Sequence, residues 1–163
     1  MKIARTLEYA ATPDEVFTVL ADQAFQEAKC AATAAIKHTA TVSGDGDRTV
    51  ITTERVLPTR GMPDFARNMV GETLKVTETQ DWGPAAADGA REGTLSMSVA
   101  GVPVTMKGTL SLAPGGPGSV ETLDADLKAS LPLIGGKIEK AAAPPIEEAI
   151  DIEATTARKW LRR

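Results

Sequence analysis

The residues best equipped for chemistry are few and far apart. His38 is the only histidine and Cys30 the only cysteine, eight positions away across an expected helix-to-strand boundary. A thiol beside an imidazole is a possible nucleophile and base, but no local signature accompanies the pair. A zinc site built from them would need further ligands that the chain does not supply. The expectation is therefore no metal, no cofactor and no assigned catalytic residue. Gly135-Gly136-Lys137 matches only the end of a phosphate-binding loop: the upstream glycine is missing and Ile138 stands where Ser or Thr is required. Two glycines serve better there to turn a strand into a helix. Glu78 and Gln80 are different, because they share parity with Leu74, Val76 and Trp82. Unbroken alternation turns both inward, where a carboxylate marks a wet cavity, a polar ligand group or an acid of raised pKa. A bulge that flips the parity, or a place at the solvated sheet edge, is the competing expectation and the preferred one. Arg5 and Arg55 also fall on apolar parities, with stems expected to cover the core and heads in water. An inward ion pair with Glu78, or with a ligand carboxylate, is their alternative.

The elements that must position these groups follow from composition and pattern. The chain has 163 residues, 42% hydrophobic and 25% charged, with a net charge of -4. That balance fits one globular domain, residues 1–163, and lacks the basic face a nucleic-acid partner demands. The terminal cations Arg158, Lys159, Arg162 and Arg163 suit a helix end. A lone cysteine, no apolar leader in Met1–Thr6, and no run of about 18 apolar residues point to a soluble cytoplasmic protein without a membrane span. Oligomeric state is not readable. Aromatic residues make up only 4%, so Ala, Val, Leu and Thr must pack tightly or leave a cavity.

Lys2–Tyr9 alternates as a strand, and Thr12-Pro13-Asp14-Glu15 then carries a capping box with Pro at the first helical position. A second short helix is expected after Asp22, with Phe25, Ala28 and Cys30 on one side. Strands are expected over 36–42 and 49–57 around a Ser43–Asp47 turn, then over 72–82, 93–99, 104–112 and 120–131. The last shows the clearest alternation, Leu123, Ala125, Leu127, Ala129 and Leu131 sharing one face. Residues 63–70 make two helical turns with Phe65, Met69 and Val70 inward. Beyond Gly136 the chain is helical, with Ile138, Ala142, Pro145, Ala149, Ile152, Thr156 and Trp160 as its apolar stripe. Pro144-Pro145 predicts a kink, or a split into two helices.

Two stretches carry a family likeness. Leu7–Phe17 through Leu20-Ala21-Asp22 resembles the opening strand and Pro-led helix of the Bet v 1 / START-like (SRPBCC) superfamily. Leu131–Glu139 is similar to the strand-to-helix junction of an actinobacterial branch of unassigned function. The resemblance implies an α+β helix-grip fold: a curved seven-stranded antiparallel sheet around a long C-terminal helix, with two short helices after the first strand. It also implies an internal cavity for a lipid, polyketide or aromatic compound, and offers no catalytic residues. The expected partner is an apolar small molecule. Its expected lining is Leu74, Val76, Glu78, Leu95, Met97, Met106, Leu110, Leu123, Leu127, Ile138 and Ile146, with Phe65 and Met69 over the mouth. Met62 belongs with the methionines that either fill the core or line an adaptable pocket. Two other readings remain open: a cyclase- or aromatase-like enzyme using Glu78 as acid or base, and a protein-interaction module without a ligand.

Overall fold

The period-2 segments pair into a single sheet. The computed structural model describes residues 1–163, in the order β1 (Lys2–Tyr9), α1 (Pro13–Leu20), α2 (Gln23–Ala32), β2 (Lys37–Asp45), β3 (Arg48–Pro58), α3 (Asp64–Val70), β4 (Thr73–Trp82), β5 (Arg91–Val99), β6 (Val102–Gly115), β7 (Gly118–Ala129) and α4 (Gly135–Leu161). The seven strands run antiparallel in the order β1-β7-β6-β5-β4-β3-β2. From β2 to β7 each strand pairs with the next in sequence, and β1 pairs with β7, so β1 and β2 are the two edges. This is the helix-grip architecture.

Register fixes which side chains face the helix. Thr53, Glu78, Met97, Met106 and Leu127 stand side by side across β3 to β7. Pairing of β4 with β3 and β5 runs without a break from Val76 to Trp82, so no bulge turns Glu78 and Gln80 outward. The expected flip is overturned: Gln80 is buried and Glu78 lies inside with it. Arg55 is likewise inside, only 6% exposed, so its head does not reach bulk water. Arg5 stays at the rim, 2.9 Å from Asp151.

Two inward-facing glycines let the sheet curl. A Cβ on Gly108 would sit 2.2 Å from the Asp124 carbonyl, and one on Gly93 would meet the Trp82 ring at 3.2 Å. Both positions therefore allow an approach that any larger residue would block.

The short helices close one end of the concave face. Thr12 accepts from the Glu15 amide at 3.2 Å while Glu15 accepts from the Thr12 amide at 3.1 Å, which completes the capping box. Val16, Phe17 and Leu20 of α1 are buried, as is Phe25 of α2. α4 continues as one helix through Pro144 and Pro145, so the split into two helices does not occur. Its buried face is Ile138, Ala143, Glu153, Ala154 and Ala157; Ile152 and Thr156 are only half-buried. The stripe expected for its C-terminal half is displaced by one position, toward the small Ala residues that let α4 approach its neighbours. Trp160 anchors the helix edge-on to Phe25 of α2, ring centres 5.6 Å apart, rather than to the sheet. α4 packs mainly on β7, β1, α1 and α2. No helix is long and apolar enough to cross a membrane.

Candidate functional site

Because α4 leans toward the β1–β7 side, its middle stands off from β3–β6. The space left between them is a cleft of about 650 Å³. Its sheet wall is Leu57, Leu74, Val76, Met97, Val99 and Val104; its helix wall runs from Lys140 to Ala149. Residues 60–63 form part of the rim. Pro144 and Pro145 have no N–H, so the carbonyls of Lys140 and Ala141 lose their usual partners four residues on. Both of these residues line the cleft. A wholly apolar side space of about 70 Å³ extends beneath α3 to Met69, Ala66 and Ile138.

Toward α1 and α2 the space narrows to about 40 Å³, room for water but not for a substrate. Its walls are partly charged. Lys29 of α2 donates to Glu153 of α4 at 2.8 Å and lies 3.5 Å from Glu78. Gln80 donates to Glu78 at 3.1 Å and accepts from the Trp82 indole at 2.9 Å. Tyr9 donates to Glu121 at 2.9 Å. Burial alone would pull the Lys29 pKa down, but the Glu153 and Glu78 carboxylates outweigh it and hold the amine above its ordinary value. Burial pushes Glu78 up, and the charges of Lys29 and Arg55 reverse that shift, so it remains an ionised acceptor. Glu121 has no such cation against it: burial, then the Glu153 charge, pushes it up to about 8. Tyr9 is raised by burial and by Glu121.

This arrangement binds charge more readily than it moves protons. Lys29 and Glu78 hold each other in their charged forms, which leaves Glu78 without the proton a general acid must deliver. Glu121 keeps its proton near neutral pH but sits where only water fits. Cys30 is fully buried, and burial raises its thiol pKa, the reverse of what a nucleophile needs.

Of the residues expected from the sequence, Glu78, Leu95, Met97, Met106, Leu110, Leu123 and Ile146 surround the narrow end. Leu74, Val76, Met97 and Ile146 line the wide cleft, while Met69, Leu74 and Ile138 line the side space. Leu127 lines none of these spaces, being fully packed in the core. Phe65 also stands outside them and lies under the Lys137 amine, 4.2 Å from its ring centre. Lys29, Glu121 and Glu153 escaped the sequence reading. Glu121 shares the parity of Leu123 and Ala125, and Glu153 lies four residues before the buried Ala157. Their spacing carried the signal, and their charge masked it.

A family model described as "Protein of unknown function (DUF2505)" matches residues 5–161. An uncharacterised protein of Mycobacterium tuberculosis is 26% identical over 121 residues, covering 73% of this chain and 69% of that one. Among solved structures, a STAR-related lipid transfer protein from Xanthomonas axonopodis superposes with a TM-score of 0.62 at 15% identity, covering 99% of this chain and 86% of that chain. A START superfamily protein from Mycobacterium smegmatis gives 0.53 at 13% identity, covering 99% and 97%. At these identities the likeness establishes the START/Bet v 1-type fold.

Proposed function

The chain belongs to the DUF2505 family, and for this member we propose the binding of an apolar small molecule of the lipid, polyketide or aromatic kind between β3–β6 and the middle of α4. The observation that supports this reading is the cleft of about 650 Å³ walled mainly by Leu, Val, Met, Ala and Pro side chains with a few charged residues, a size and lining usual for small-molecule sites. Burying about 200 Å² of apolar ligand surface there contributes roughly 5 kcal/mol before ordering costs. The lone buried Cys30 suits a reducing compartment, and we place the protein in the cytoplasm.

The test is a fluorescence titration with the neutral apolar probe N-phenyl-1-naphthylamine. Wild-type protein should enhance the emission saturably. Val99→Trp, which projects a bulky ring into the cleft from its sheet wall, should weaken binding at least tenfold while circular dichroism stays unchanged. Linear, non-saturating emission from the wild type, or equal binding by Val99→Trp, would remove the cleft as the site.

A further inference from the structure

Arg55 stands where the wide cleft meets the narrow polar end, lining both together with Met97, Ile146 and Ala149. Its side chain is only 7% exposed, and its closest carboxylate oxygen, on Glu78, is 3.9 Å away. That distance is beyond a hydrogen bond. Its Nε has no protein acceptor. The acidic groups of the narrow end give Arg55 no hydrogen bond, Glu78 turning only its Oε2 toward it at 3.9 Å. Glu78 takes Gln80 at 3.1 Å and faces Lys29 at 3.5 Å, Glu153 takes Lys29 at 2.8 Å, and Glu121 takes Tyr9 at 2.9 Å. The cleft lining also holds Arg60 and Lys140 and a single acid, Glu148. A guanidinium buried without a bonded acceptor is costly, and its planar fork matches two oxygens of one carboxylate.

We propose that the cleft selects amphiphiles bearing one ionised carboxylate, the head group paired with Arg55 and the apolar body lying along Leu74, Val76, Val99 and Val104. The inference rests on the apolar-ligand reading above and assigns that ligand its polar end. It also gives Arg55 a role as the binding residue that discriminates acids from neutral analogues.

Competition against bound N-phenyl-1-naphthylamine by decanoate and by decan-1-ol at pH 7.5 separates the two ideas. Decanoate should displace the probe from wild-type protein at a concentration at least tenfold below that of decan-1-ol. In Arg55→Met the alcohol should compete as before and the preference for the acid should vanish. Equal competition by acid and alcohol in the wild type would overturn the head-group assignment and leave the apolar site standing, as would a preference that survives in Arg55→Met. Failure of both compounds to displace a saturably bound probe would overturn both ideas. A second readout needs no variant. The carboxyl carbon of 1-¹³C-decanoate bound to wild-type protein should remain at its ionised NMR shift to lower pH than free decanoate. Titration at or above the free value would sink the assignment.

Discussion

At the end of the sheet crossed by α1 and α2, large rings fill the interior: Trp82 meets Phe17 edge-on at 5.7 Å, and Phe25 meets Trp160 at 5.6 Å. At the end bounded by α3 and residues 60–63, Leu, Val, Met and Pro side chains stop short of α4 and about 650 Å³ stays open. The two ends share one sheet and one helix, so the difference comes from side-chain volume and from where the flanking helices sit. Tyr9, Phe17, Phe25, Trp82 and Trp160 all belong to the filled end, and Phe65 alone lies at the other. A chain with few aromatic residues has closed half of its core and left the other half open. Polarity divides in a similar way: the paired buried carboxylates gather where helices supply partners, and the open end has an apolar middle with Arg55, Arg60, Lys140 and Glu148 at its edges.

The comparison breaks most easily at its charged seam. Lys29→Met should cost about 3–5 kcal/mol in urea unfolding, since it strands the Glu153 and Glu78 carboxylates in a buried site. Adding Glu153→Gln should restore part of that loss. A cost under about 1 kcal/mol would mean that water, not Lys29, compensates those carboxylates. The same truncation at the two ends sharpens the contrast. Leu112→Ala, at a fully buried position of the filled end, should cost about 2–5 kcal/mol. Leu74→Ala, on the cleft wall, should cost less than about 1 kcal/mol. Equal costs would place the two ends in one packed core.

A smaller and more specific effect belongs to Glu121. Its folded pKa, pushed up by burial to about 8, lies above the ordinary carboxyl value of 4.5. The folded state therefore holds a proton that the unfolded chain releases between those values. Stability from this group is complete below the unfolded pKa and falls as pH rises toward 8, by at most about 1.4 kcal/mol per pH unit. Glu121→Gln keeps the shape, removes the titration, and should flatten the stability profile between pH 5 and 8. Glu78 contributes with the opposite sign: its pKa is lowered, so its stabilisation is present above the ordinary carboxylate value and is lost in acid. An unaltered slope in Glu121→Gln would show that Glu121 is ionised throughout.

Much of the fold was legible in advance because local rules and tertiary packing agree. Alternation in β7 from Leu123 to Ala129 marks the inward face, and Thr12 with Glu15 marks the start of α1. The polar seam was not legible, because its members meet only through the fold: Lys29 and Glu153 are 124 residues apart in the chain. Parity places Glu78, Gln80 and Arg55 inside, against the preferred expectation of a bulge or solvated edge for the first two and of a head in water for Arg55. The structure resolves that conflict by pairing Glu78 with Lys29 and Gln80 with Trp82. On α4 the helical period was visible but its phase was not, since Ala143, Ala154 and Ala157 bury as readily as larger residues when helices pack closely.

The claim that the open end is a binding site is tested most directly by ¹³C NMR of the five methionine methyl groups on addition of N-phenyl-1-naphthylamine. Met62 and Met97 line the cleft and Met1 lies outside it. The Met62 and Met97 signals should shift saturably together while Met1 stays fixed. Movement of Met1 alone, or of none of them at concentrations that saturate the probe fluorescence, would contradict the account.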